Sequence, residues 1–223
     1  MSHLSPTTTR ILVWDAPTRI FHWLLAASFT GAYLTAESER WRDVHVKLGY
    51  TLLGLIAFRL LWGLIGTRYA RFGSFAFGPR QVVWYLRSLL SPAPTHYVGH
   101  NPVGSWAIYL MVGLGALAGA SGYGTYVDIG GEWTADLHEG LAGAMLSVVV
   151  IHILGVIVSS LIHRENLIRS MITGYKAGPP SQGIQRAWWP VGVAVLGLAI
   201  AFWSGVVPAP GPTPAAQVAQ AHR

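Results

Sequence analysis

The chain has 223 residues, of which 52% are hydrophobic and only 11% charged, a balance that excludes an ordinary soluble domain and reads as an integral membrane protein. With no cysteine at all, disulfides, iron–sulfur clusters, thiolate metal sites and Cys-x-x-Cys-His attachment are excluded. The net charge of +6 comes from basic residues that flank apolar segments, which is sufficient cause without nucleic acid as a partner.

In chain order, residues 1–13 are expected to form a short polar leader. Five windows of largely apolar residues follow, at 18–36, 46–66, 104–124, 138–162 and 188–207, each long enough to cross a hydrocarbon core about 30 Å thick. The first is expected to stay in the mature protein, because it carries His22, follows Trp14, Asp15 and Arg19, and has no small-residue cleavage site. Between the second and third windows, Pro79 to Leu90 mixes Arg80 and Arg87 with Trp84, Tyr85 and Leu86, which predicts an amphipathic helix on the membrane surface. Asn101-Pro102 reads as the start of the third spanning helix. That helix is rich in glycine, which suits close packing of helices in lipid or side-chain-free room for a flat ligand; the second reading is favoured for Gly49 and Gly155, near His45 and His152. The fifth window is set off by the connection 177–187 and has no ionisable residue between Trp188 and Val207, as expected of an anchor. The tail, rich in Pro, Ala and Gln, cannot bury enough apolar surface to fold alone. The expected fold is an all-α integral membrane protein: a four-helix transmembrane bundle in 1–176, a linker and fifth C-terminal transmembrane helix in 177–207, and a disordered tail in 208–223.

Charge sets the expected orientation. Arg68, Arg71, Arg80 and Arg87 lie in the second connection with no acid among them, and Arg164, Arg169, Lys176 and Arg186 crowd the fourth, opposed only by Glu165. The third connection holds Asp128, Glu132 and Asp136 and no base. The positive-inside rule then puts the second and fourth connections and the N-terminus in the cytoplasm and the C-terminus outside.

His138 and His152 stand fourteen residues apart on one apolar helix, nearly on one face and separated by about 21 Å along the axis. A histidine inside a membrane is a functional candidate by default, although any one of them could simply hydrogen-bond a neighbouring carbonyl. Four together pair by depth: His22 near the start of helix one meets His152 in the cytoplasmic half, and His45 meets His138 near the outer surface. Two imidazoles and no cysteine do not make a zinc site, whereas haem needs only two axial ligands; two non-covalent b-type haems fit best. Arg59, fourteen residues after His45, shares that ligand's face at the depth of the inner site, where a haem propionate would supply the anion a buried arginine needs; the alternative is an arginine snorkelling to the interface. Arg19, three residues before His22, is a weaker candidate of the same kind. His100, just before the Asn101-Pro102 helix start, is a candidate proton acceptor at a quinone site. His3 and His222 in the tails and His96 and His163 in connections are expected to be solvated.

Several runs carry a resemblance: Val13-Trp14-Asp15-Ala16-Pro17-Thr18-Arg19-Ile20-Phe21-His22-Trp23, His45-Val46-Lys47-Leu48-Gly49-Tyr50, Phe58-Arg59-Leu60-Leu61-Trp62-Gly63, Gly99-His100-Asn101-Pro102-Val103-Gly104, and the His138-Glu139 and Val150-Ile151-His152 pair. Over roughly residues 11–176 the chain resembles bacterial cytochrome b561 and the b-type cytochrome subunit of nickel–iron hydrogenases. The resemblance implies a four-helix dihaem cytochrome of the bacterial inner membrane, passing electrons between the quinone pool and a redox partner, with axial ligands His22, His45, His138 and His152. The fifth helix and tail depart from that pattern and leave the partner open.

The expected function is therefore electron transfer between a membrane quinone and a periplasmic cytochrome or a dehydrogenase or hydrogenase subunit. One alternative is the membrane subunit of a hydrogenase-type complex. Another is a stand-alone superoxide oxidase, for which Lys47 is the one cationic candidate beside the outer site. A proton-coupled transporter is the non-redox alternative; the lack of intramembrane Asp or Glu, apart from Glu139 at the edge, and of inverted repeats counts against it.

Overall fold

The computed structural model describes residues 9–208. Expectations for residues 1–8, for the tail from 209 onward, and for His3 and His222 lie outside the described residues. The described chain opens with β1 (Thr9–Leu12), which pairs antiparallel with β2 (Tyr175–Gly178), Thr9 opposite Gly178 and Leu12 opposite Tyr175. Residues 9–12 thus form a strand where a polar leader through residue 13 was expected, and this small ribbon is added to a fold that is otherwise all-α, as expected. Ile11 and Val13 are buried with Trp14 and Tyr69. Four residues are too few for a period-two pattern to declare itself in sequence, and the partner strand is remote.

The N-cap of α1 (Ala16–Thr35) is Asp15, whose side chain accepts from the Thr18 backbone N–H at 2.8 Å, and Pro17 stands in the first turn where its missing N–H costs nothing. The other oxygen of the same carboxylate accepts from the Trp62 indole at 3.1 Å and the Thr67 hydroxyl at 2.6 Å. Asp15 thereby ties the start of α1 to the end of α2 (Arg42–Ile65). Next come α3 (Pro79–Ser88), with Tyr85 buried and Trp84 and Leu86 exposed, and α4 (Pro102–Tyr126), whose cap Asn101 accepts from Gly104 N–H at 2.7 Å. Then follow α5 (Glu132–Ile162), the short α6 (Leu167–Thr173) and α7 (Trp189–Trp203).

Among the described residues three helices are long and apolar enough to cross a membrane: α2 with its preceding turn, α4 and α5. Only 6% of the most apolar window of α5 is buried inside the protein, so its Val, Ile and Leu side chains need a lipid environment. The structure is narrower here than the expectation of five spanning helices. The 20-residue α1 packs along α2 and α7. The 15 residues of α7 reach about 22 Å, short of a hydrocarbon core of about 30 Å. Both ends of the window 188–207 leave the helix, Trp188 at a left-handed φ of 55° and Gly205 at 81°. Val195 of α7 is buried against Phe21 of α1 and Leu55 of α2, so this helix is packed on the bundle, and β2 runs through position 176, where the four-helix unit was expected to end.

Candidate functional site

In the first turn of α2 stands His45, and His138 lies in the second turn of α5. Their rings meet edge to face, with centroids 6.0 Å apart and 87° between planes. His45 Nδ1 lies 2.8 Å from the carbonyl oxygen of Ala32, and His138 Nδ1 lies 2.8 Å from that of Ala118. A carbonyl can only accept, so each Nδ1 carries the hydrogen, the tautomer that in a neutral ring leaves Nε2 as the coordinating nitrogen. Metal-ligating histidines are held in this way, the outer nitrogen donating to a carbonyl and thereby fixing ring orientation and tautomer. The carbonyl-bonded histidine and the ligand histidine are therefore compatible at this pair.

Among the described residues no three His, Asp or Glu converge as metal ligands. A donor set of two imidazoles suits an iron whose equatorial positions are filled by a macrocycle and does not suit a four-ligand zinc centre. The pair borders a cavity of about 340 Å³ whose lining includes Gly49, Gly119, Gly122 and Tyr123. A Cβ at Gly122 would stand 2.8 Å from Cε1 of His138, whereas one at Gly49 or at Gly155 would meet nothing within 4 Å. Gly122 is needed to seat His138, and Gly49 borders open space. Neither Lys47, half-buried, nor Glu139, exposed, lines this cavity.

At the other depth His22 of α1 and His152 of α5 lie within electrostatic reach of each other. His22 Nδ1 is enclosed and has no hydrogen-bond partner among the described residues, the condition of a nitrogen awaiting one. His100 belongs to the same neighbourhood. Its ring packs against Trp14 at 4.6 Å and Phe75 at 4.3 Å, and its Nδ1 is enclosed and unpartnered. Burial, then the charges of Arg59 and Lys176 and the imidazole of His152, push it from 6.5 down to about 3; His100 is neutral at physiological pH.

The two arginines are held by more than sequence reasoning foresaw. Arg59 is 3% exposed; its Nη1 donates to Ala70 O at 2.9 Å and its guanidinium lies over the rings of Phe72 and Phe75 at 4.5 and 5.9 Å. Arg19 donates from Nη1 to Ile172 O at 2.6 Å and lies over Trp189 at 5.1 Å, with Nε enclosed and unpartnered. Carbonyls and aromatic faces meet part of each guanidinium's need, and donors remain on both.

Sequence reasoning missed a second polar group at this end. Lys176 Nζ, on a side chain 2% exposed, lies 3.0 Å from Glu165 Oε2 and donates to Tyr97 O at 3.3 Å, while His96 Nε2 lies 3.2 Å from the same Glu165 oxygen. Burial lowers the Lys176 pKa. At Glu165 burial acts upward, but the His96 hydrogen bond and Lys176 outweigh it and bring the carboxyl below its usual value. His96 is exposed, in line with the expected solvated side chain, but it is also bonded to Glu165, and its ring lies 5.2 Å from that of the half-buried His163. The Asp15 cap was legible from Asp15-Ala-Pro-Thr18; for Lys176, one of several connection charges, no local signal exists.

Residues 13–174 match the family described as prokaryotic cytochrome b561. Among curated proteins the chain is 27% identical to a "Probable Ni/Fe-hydrogenase B-type cytochrome subunit" of Azotobacter chroococcum mcd 1, over 75% of this chain and 89% of the relative. Proteins of the same description from Rhizobium leguminosarum bv. viciae, 26% identical over 74% and 87%, and Rhodobacter capsulatus, 22% identical over 75% and 82%, are also similar. No solved structure matches the chain.

Proposed function

Because the chain belongs to the prokaryotic cytochrome b561 family, membrane electron-transfer proteins with b-type haem, we propose that it holds two such haems and links a membrane quinone to a redox partner. One haem lies between His45 and His138, the other between His22 and His152. The observation that carries this reading is the His45/His138 pair, two imidazoles meeting edge to face with both Nδ1 atoms anchored to carbonyls, which turns each Nε2 to the role of ligand.

Each haem supplies a one-electron iron couple when bound. The chain's own residues supply the rest. Ala32 and Ala118 carbonyls orient the outer imidazoles, Gly122 admits His138, and Gly49 leaves space beside His45. Arg59 and Arg19 bring positive charge to the inner depth, favouring carboxylates there, and His100, kept neutral with its Nδ1 unpartnered, offers a hydrogen bond to a quinone bound beside it. The basic second and fourth connections support an inner-membrane orientation with the N-terminus in the cytoplasm and the C-terminus in the periplasm.

A reduced-minus-oxidised spectrum with a haem-to-protein ratio tests the reading. Two haems per chain are expected, His45→Ala and His138→Ala removing the same spectral component and His22→Ala and His152→Ala the other. A protein with no b-type α-band would sink it, and one haem per chain would defeat the pairing. A second reading, the membrane subunit of a hydrogenase-type complex, is favoured by what its relatives are named; co-purification with a hydrogenase and hydrogen-dependent haem reduction would establish it.

A further inference from the structure

At the end of the molecule formed by the β1–β2 ribbon and the α5–α6 turn lies a cavity of about 660 Å³, a size within the range of about 300–1,000 Å³ that holds small ligands. Its walls carry Arg10, Arg164, Arg169 and Lys176 against a single carboxylate, Glu165. That carboxylate is already engaged by Lys176 and His96. The three arginines have no carboxylate partner among the described residues; Arg10 lies over the Tyr175 ring at 4.6 Å, and Arg164 and Arg169 are exposed. Positive-inside topology asks only that such charges be present and says nothing of their converging on a concavity.

Beside the cavity, α6 contributes Arg169 and Thr173 to the wall, while Ile168 and Ile172, one turn apart, are exposed. An apolar strip next to a cationic one suits the boundary between acyl chains and headgroups. Guanidinium forks match phosphate oxygens in charge and geometry. We propose that this cavity binds a phosphate group, with Arg164 and Arg169 as its principal donors and the headgroup of an anionic phospholipid as the source that the neighbouring isoleucines favour.

The test uses the full-length protein, purified in detergent and freed of lipid, then titrated with phosphatidylglycerol or with inorganic phosphate. Binding is read as the rise in Tm and as lipid retained in native mass spectrometry. Wild type should bind phosphatidylglycerol, R164Q and R169Q each about fivefold more weakly and the double variant more weakly still; the single variants keep the test open if the double variant fails to fold. R80Q, which removes an exposed arginine of α3 outside the cavity, should bind as wild type does. Inorganic phosphate producing the variant-sensitive shift without any from phosphatidylglycerol would uphold the phosphate site and assign it a soluble source. Equal binding by wild type and the R164Q/R169Q variant, or a loss in R80Q as large as theirs, overturns the proposal.

Discussion

The carboxylate of Asp15 accepts the Trp62 indole N–H at 3.1 Å across 47 positions of sequence, fixing the first turn of α1 against the last turn of α2. Arg19 and His22 follow within two turns on one helix, and Arg59 precedes Trp62 by one turn on the other. The inner cluster therefore inherits its geometry from a helix cap.

Asp15→Ala removes that cap and strands two donors, Trp62 and Thr67, that are bonded to it. The expected loss is about 3 kcal/mol, read as a lower unfolding midpoint in detergent. Trp62→Phe removes one bond and should cost clearly less; equal losses would contradict a shared clamp.

Acid sensitivity should trace in part to His100. Its folded-state value, depressed by burial and by Arg59 and Lys176 to about 3, lies below the unfolded value near 6.5. The unfolded chain then binds one more proton between these limits, so stability is full above about pH 6.5 and falls on acidification by up to about 1.4 kcal/mol per pH unit. His100→Phe, which keeps a ring against Trp14 and Phe75, should flatten the stability profile between about pH 4 and 6.5. An unchanged slope would show that His100 is not the responsible group.

Lys176→Met should destabilise by about 1–3 kcal/mol, since it takes from the half-buried Glu165 its closest cation and leaves it the His96 hydrogen bond. Adding Glu165→Gln should recover part of that loss. If the double variant is as unstable as the sum of the singles in chemical unfolding, the 3.0 Å contact carries no coupling.

Two glycines facing the outer pair should respond oppositely. Gly122→Ala places a Cβ 2.8 Å from His138 Cε1 and should displace that ring, lowering by absorption the content of the haem proposed between His45 and His138. Gly49→Ala enters open space and should stabilise the haem-free helix by about 0.5–1 kcal/mol, whereas Gly49→Leu should compete with haem for the cavity.

Much of this site could be read from residue order. Apolar length located the helices, and depth matching placed His45 beside His138, because both depend on regular helical rise alone. Asn101-Pro102 marked a helix start for the same local reason. The partners of Arg59 and Arg19 were not legible: Ala70 O and Ile172 O are backbone groups, identical in chemistry at every position. Lys176 read as a topology charge because its burial depends on a ribbon with residues near the N-terminus. The end of α7 was misjudged because hydropathy continues beyond Trp203 although the helix does not.

The β1–β2 ribbon also constrains how the protein is made. Residues 9–12 emerge from the ribosome well before their partners at 175–178, which arrive only after α1, α2, α4 and α5 have been synthesised. Until then Ile11 and Val13 have no strand beside them, and closing so long a loop adds an entropic cost that grows slowly with length. Joining the ribbon is therefore a late event in biogenesis, followed by docking of α7 on α1. A chain truncated before Tyr175 should still enter the membrane and yet remain open to proteolysis within residues 9–12, which the ribbon protects in the intact chain.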